Sequence, residues 1–373
     1  MRGEKAGGIL KRGGRAFEEL AQNGLGRGGM LGRVRRRLGD TTGLCVFENH
    51  RILISLSHIT LIYNPMAGSL RRRPELAQRA AEWLAAMGDV RLMPTTGPET
   101  AGALAGEAVA NGAAIVVAFG GDGTINEVAN GMIGSAVPLG ILPGGTANVL
   151  CVETGLGTNP EKAAKRLVSA SEPVRIAAGK MTKPDGFTRY FLVMAGIGLD
   201  ATVVQEVNQT VKKHLGKVAY WIAGFGMAAR TLPQFNFELA GKTSRRSFVL
   251  VSRVRNYGGD LEIARNVSLL DPCFETIAFE GKNSLRYLPY LAGVAMGQVG
   301  KLPGVSVAPA TLLTCGPVNG DCVPVQLDGE LAGFLPAEFC IVPDALMLLI
   351  PAKYVRRAKE QPWKQIWTTS PTP

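Results

Sequence analysis

The stretch Gly120-Gly121-Asp122-Gly123-Thr124-Ile125-Asn126-Glu127 decides how this chain is read. It follows the apolar, β-branched run Ala114 to Phe119 and opens a segment, Thr124 to Met132, that reads as a helix. A strand that ends in a glycine turn and feeds a helix leaves the first N–H groups of that helix without partners. Such a terminus attracts anions, phosphate above all. Glycine lets the backbone approach phosphate oxygens closely and tolerates positive φ. Asp122 is a poor neighbour for an anion unless a cation lies between them. The stretch therefore predicts a nucleoside triphosphate with Mg2+, bound without the lysine of a P-loop.

Two further turns of this kind flank it. Downstream, Pro138-Leu139-Gly140-Ile141-Leu142-Pro143-Gly144-Gly145-Thr146-Ala147-Asn148 again runs from apolar residues into glycines. Upstream, the strand His58 to Tyr63 ends in Asn64-Pro65-Met66-Ala67-Gly68. Between them the pattern alternates. Helices are predicted at Pro74 to Met87, Pro98 to Asn111 and Thr146 to Thr154, and strands at Val90 to Pro94 and Val137 to Leu142. Such alternation implies parallel strands with right-handed crossovers, and open sheets of this type bind ligands at the carboxyl edge.

After about Glu172 the texture changes to short strands: Tyr190 to Ala195, Phe235 to Ala240, Arg246 to Arg253, Phe274 to Glu280, Val305 to Pro309, Thr311 to Cys315, Val323 to Leu327 and Ala345 to Ile350. They predict an antiparallel sandwich or barrel-like domain with a helical insertion near 201 to 231. The expected fold class is α/β: a parallel-sheet nucleotide domain at 58–171, then a β-rich, sandwich-like domain at 172–352, to which a family resemblance assigns lipid binding. A basic extension (1–57), expected to be disordered, and a basic tail (353–373) flank them.

The ordered set of turns resembles the diacylglycerol kinase catalytic family, in its bacterial lipid kinase and sphingosine kinase-like branch, over residues 58 to 352. The resemblance implies ATP and Mg2+ as cofactors. It implies a nucleotide site at Asn64, Gly68, Thr95 (with Thr96 a close rival), Gly121, Asp122, Gly123, Thr124, Asn126, Glu127 and Thr146. In Gln326-Leu327-Asp328-Gly329-Glu330 the Asp-Gly pair alone reads as a hairpin turn; the resemblance makes Glu330 the proton acceptor, with Asp122 beside it in the catalytic set. It also implies a bracing Mg2+ at Ser268, Asp271 and Cys273, although Pro272 replaces the family's usual glycine and Val149 follows Asn148 where many relatives have Asp. Ala195 to Ala201 reads as a structural turn that starts the insertion, with Lys213, Gly216 and Tyr220 bordering a lipid entrance.

Composition narrows the classes. Of the net charge of +11, residues 1–51 hold eleven bases against five acids, and the segment from Lys353 onward holds five bases against Glu360. The folded body is thus near neutral. The basic end with Trp363 and Trp367 fits either a peripheral role at an anionic membrane surface, on the cytoplasmic face, or a merely solvated tail. No run reaches the ~18 apolar residues of a spanning helix, and nothing near Met1 has the core of a signal peptide, so export is not expected. Six cysteines without Cys-x-x-Cys pairing predict reduced thiols. A nucleic-acid partner is not expected, for no stacking platform accompanies the arginines; a homodimer is compatible with the sequence. The rivals are an NAD kinase-like enzyme, which shares Gly-Gly-Asp-Gly, and a non-catalytic lipid- or nucleotide-binding protein on the same scaffold.

Overall fold

The computed structural model describes residues 58–199, 201, 232–257, 261–281, 289–290, 293, 296, 298–318 and 320–360. Expectations for the 1–57 extension, for most of the insertion including Lys213, Gly216 and Tyr220, and for Trp363 and Trp367 lie outside the described residues.

Four strands, β1 (Ile59–Tyr63), β2 (Val90–Pro94), β3 (Ile115–Gly120) and β4 (Leu139–Pro143), pair in parallel in the order β2-β1-β3-β4. Every residue of β3 and β4 is buried, as expected of parallel strands covered on both faces. Helices α1 (Gly68–Arg72), α2 (Leu76–Leu84), α3 (Ala101–Ala110), α4 (Asp122–Met132) and α5 (Val149–Glu153) connect and follow them. Helix α4 starts at Asp122, two residues earlier than the pattern predicts, so Asp122 belongs to its first turn. Helix α6 (Pro160–Ala170) was not predicted, although its start is signalled: Asn159 Oδ1 accepts from Lys162 N at 3.0 Å and Pro160 takes the first position.

The chain then runs through β5 (Ser171–Thr182), β6 (Thr188–Phe191), β7 (Met194–Gly198), β8 (Phe235–Leu239), β9 (Lys242–Arg246), β10 (Phe248–Ser252), β11 (Asn256–Tyr257), β12 (Leu261–Glu262), β13 (Phe274–Phe279), β14 (Val305–Ala310), β15 (Leu312–Pro317), β16 (Pro324–Leu327), β17 (Glu330–Phe334) and β18 (Ala337–Pro351), and α7 (Ala352–Lys359) follows. A six-stranded sheet has the order β14-β13-β10-β7-β16-β17, all neighbours antiparallel. The architecture is therefore mixed α/β, a parallel sheet followed by an antiparallel, sandwich-like region. The ring pair Phe191–Phe274, centroids 5.6 Å apart, packs in the buried core of the second region. No helix among the described residues is long and apolar enough to cross a membrane.

Several elements differ from the sequence reading for identifiable reasons. The predicted strand Tyr190 to Ala195 breaks at Leu192 and Val193 into β6 and β7, because the N–H groups of Leu192, Val193 and Met194 turn to the Asp328 carboxylate. The predicted turn at Ala195 to Ala201 is instead the buried strand β7 as far as Gly198. The predicted strand Ala345 to Ile350 is the end of the fifteen-residue β18, which pairs with β15 at its start and lies parallel to β4 near its end. The segment from Lys353 begins as α7, with Val355 and Ala358 buried and Lys353, Arg356, Arg357 and Lys359 exposed. Cys151, Cys273, Cys315, Cys322 and Cys340 are free thiols.

Candidate functional site

The three turns meet at the carboxyl edge of the parallel sheet. Asn64 N–H donates to Phe119 O at 3.0 Å, Asn64 Nδ2 to Thr124 Oγ1 at 3.2 Å, and Gly144 N–H to Gly120 O at 2.7 Å. Beside Gly68, Ser69 donates to Gly144 O through both its N–H and its hydroxyl. Thr95, whose N–H donates to Tyr63 O at 2.9 Å, sits at the end of β2 on the same edge. The glycines serve close approach rather than unusual dihedrals. A Cβ on Gly145 would lie 2.7 Å from Gly121 Cα, and one on Gly144 would lie 2.9 Å from Gly120 Cα, so the two turns pack backbone on backbone. Positive φ, expected at these glycines, is taken by Asn148 (49°) instead.

Helix α4 presents an anion-receptive end. Its N-cap, Gly121, has no side chain to satisfy the first-turn amides, which have no partner within a helix. Asp122 projects from this turn, and its Oδ1 accepts from Val149 N at 2.7 Å, at the start of α5. Burial pushes its carboxyl up to about 6, against the opposing pull of the Val149 hydrogen bond. Thr146 is exposed on the neighbouring turn.

Two expected nucleotide contacts have other partners. Glu127 caps α3, accepting from Glu99 N and Ala101 N, both at 3.1 Å. Asn126 is buried: its Nδ2 donates to Tyr190 O at 3.0 Å and Asp328 Oδ2 at 2.8 Å, and its Oδ1 accepts from Asn130 and Arg189. Both side chains are thus engaged by other parts of the protein.

Strands β16 and β17 form a two-residue hairpin with Asp328 (φ 49°) and Gly329 (φ 89°), both left-handed as a type I′ turn requires. The Asp328 carboxylate accepts from Leu192 N, Val193 N and Met194 N, each at 2.9 Å, as well as from Asn126. Burial raises its pKa, partly offset by those bonds. The hairpin is thereby pinned to α4, and Glu330 lands beside the glycine turn: a Cβ on Gly123 would overlap Glu330 Oε1. Arg189 Nη2 donates to Glu330 Oε2 at 2.5 Å and to Asn126 Oδ1 at 3.2 Å. Sequence reasoning missed Arg189, and it missed Asn130, which accepts from Tyr190 N and donates to Tyr190 O. Neither sits in a motif that would single it out.

The proposed bracing-cation loop is different. Asp271 Oδ2 accepts from both the N–H (2.8 Å) and the hydroxyl (2.9 Å) of Ser268. The carbonyls of Asp271 and Cys273 accept from Arg253 Nη1 at 2.6 and 3.1 Å, and those of Leu269 and Ala177 from Arg253 Nη2, both at 2.9 Å. Arg253 is fully buried, and its pKa, lowered by desolvation to about 10, still leaves it charged at neutral pH. The residues present do not fit a divalent ion here, because a guanidinium already holds the Cys273 carbonyl expected to bind one.

Both regions of the chain match known families. Residues 58–181 match the diacylglycerol kinase catalytic domain, and residues 193–350 match the YegS C-terminal NAD kinase beta sandwich-like domain. The chain is similar to a diacylglycerol kinase of Mycobacterium tuberculosis, 30% identical over 250 residues, covering 65% of this chain and 79% of that protein. It is also similar to a diacylglycerol kinase of Bacillus subtilis, 28% identical over 287 residues, covering 75% and 91%. A solved diacylglycerol kinase structure from Bacillus anthracis shares the fold with a TM-score of 0.61 at 21% identity, covering 80% of this chain and 98% of that one.

Proposed function

The chain belongs to the diacylglycerol kinase family and is a lipid kinase, and from that premise we propose that it transfers the γ-phosphate of ATP, with Mg2+, to the hydroxyl of a lipid such as diacylglycerol. The observation that carries this reading is the seating of Glu330 against Gly123, which sets a carboxylate beside the uncapped start of α4. Phosphoryl transfer is mostly positioning and charge stabilisation. The amides of Gly121, Gly123 and Thr124 hold phosphate, supported by the turns that carry Asn64, Gly68, Thr95 and Thr146. Asp122 holds the cation that neutralises phosphate charge. Glu330 takes the proton from the acceptor hydroxyl, and Arg189 fixes its orientation through Oε2. Leu331 and Phe334 are exposed on the same strand, apolar surface that suits a lipid acceptor.

General-base catalysis supplies roughly 10²–10⁴-fold, so Glu330→Gln is expected to lower kcat by that factor with little change in the KM for ATP. A collapse of ATP affinity with turnover preserved would move the base elsewhere. Incubation with γ-labelled ATP and a total lipid extract should label a lipid, and adding diacylglycerol should increase the label. Label appearing in added NAD rather than in any lipid would favour the NAD kinase-like reading.

The exposed bases Lys353, Arg356, Arg357 and Lys359 on α7 support a second part of the proposal, reversible docking on an anionic membrane surface. Liposome sedimentation should rise with phosphatidylserine content, and should fall when Arg356 and Arg357 are both changed to Glu. Binding independent of anionic lipid would exclude it.

A further inference from the structure

Arg253 continues the strand sequence Phe248-Val249-Leu250-Val251-Ser252, and its side chain is fully enclosed. Long charged side chains are rarely buried without a partner that compensates the lost hydration. Here the hydrogen-bond partners of the guanidinium are backbone carbonyls, Ala177 at the centre of β5 and Leu269, Asp271 and Cys273 on the loop after β12, while the acidic side chain of Asp271 lies near enough to favour its charge. Its Nε–H has no partner among the described residues. Four carbonyl oxygens turned toward one buried positive group is the arrangement that a hard metal cation receives in an oxygen-lined loop. The surrounding contacts strengthen the comparison. Ser268 clamps Asp271 Oδ2, and the hydroxyl of Tyr354 accepts from Leu269 N at 3.1 Å while donating to Glu153 Oε1 at 3.0 Å. The loop is thus fixed to α5 and α7 around the guanidinium.

We propose that Arg253 is the built-in cation of this loop, gathering the carbonyls of Ala177, Leu269, Asp271 and Cys273 so that the loop holds its shape without a bound divalent ion. A second cation close to the Cys273 carbonyl would lie only a few ångströms from the guanidinium, where like charges in a dry interior repel strongly. The planar fork also reaches carbonyls on two separate segments, which a point charge on a lysine does less well. The consequence is a division of labour: metal is needed at the phosphate turn, not at the loop.

The test is made on the full chain without nucleotide, so that ion binding at the phosphate turn does not enter. Wild-type protein dialysed against chelator should retain no stoichiometric metal by elemental analysis. Its Tm should be the same in chelator as in millimolar Mg2+ or Ca2+. Arg253→Ala should lower Tm by roughly 10 °C or more, as expected for loss of a buried charge that organises its surroundings. Millimolar Mg2+, Ca2+ or free guanidinium should restore part of that loss in the variant and raise nothing in the wild type. A stoichiometric ion in the wild type, a chelator-sensitive wild-type Tm, an Arg253→Ala variant as stable as the parent, or a loss that no cation repairs would each overturn the proposal. Should Arg253→Ala not fold, Arg253→Lys and Arg253→Met decide: the charged variant should be the more stable, and the reverse order would overturn the assignment.

Discussion

The start of α4 and the strand break at Leu192–Met194 both gather backbone amides, yet they are finished in opposite ways. At the break, three N–H groups converge on the chain's own carboxylate, Asp328. At the start of α4 the cap is a glycine that makes no side-chain hydrogen bond, while the carboxylates of Asp122 and Glu330 stand beside the same turn. Arg253 repeats the first solution with the sign reversed, answering carbonyls with a guanidinium. Where the chain supplies the counter-charge, the cluster is architecture. Where the helix cap is left without a side-chain partner, the amides are available to a ligand.

Removing the supplied charge tests the first half of this contrast. Asp328→Ala strands three amides and the Asn126 side chain in a buried position, so a loss of ~3–5 kcal/mol is expected, visible as a lower midpoint in urea unfolding with kinase activity lost alongside. A variant that keeps wild-type stability would mean that the strand break does not depend on Asp328. A smaller, purely functional effect is expected at the open end. Gly123→Ala places a methyl where Glu330 Oε1 lies, and a displaced catalytic group costs up to ~10² in rate. Alanine is the better helix former by ~1 kcal/mol, so kcat should fall while Tm holds or rises. A simultaneous fall of Tm would assign Gly123 to packing instead.

The last effect, at Asp122, is read as a pH dependence. Its folded pKa, about 6, lies above the usual carboxylate value of 3.8, so protonation is favoured by folding. The stability this group contributes is fully present below pH ~4 and is lost as pH rises through about 6. Asp122→Asn removes that titration while an amide oxygen can still accept from Val149 N. The Tm of the variant relative to wild type should therefore climb between pH 4 and 7. A pH-independent difference would show that the buried carboxyl does not titrate in that window. With Mg2+ and ATP present, wild type should recover stability that the variant does not.

How much of this was legible beforehand follows from the range of the contacts involved. The parallel strands, the glycine turns and the Asp328-Gly329 hairpin announce themselves locally, through apolar runs and turn residues. Strand β5 and the full length of β18 do not, because their pairing joins Ser171–Thr182 to Ala337–Pro351 across most of the second half. Arg189 reads as an ordinary strand arginine, since its value comes from Glu330 and Asn126, which lie far from it in sequence. Arg253 did leave a signal: it is the one charge in the run Phe248 to Val254, which is apolar but for Ser252, and a charge there implies a buried partner set. Asn126 and Glu127 enter the expected nucleotide site through the family resemblance; the bonds they make to Asp328 and to the start of α3 are long-range and carry no local signal.

Strand β18 has a consequence for synthesis. Leu348 pairs with Leu139, so the parallel sheet gains its neighbour to β4 only when roughly two hundred further residues have been made. Until the ribosome has released that strand, β4 is an exposed apolar edge, the kind of surface that recruits chaperones or pairs wrongly with another nascent chain. A messenger truncated anywhere before the β18 codons would yield a nucleotide half with its flank uncovered, and so a product for proteolysis rather than a smaller working enzyme.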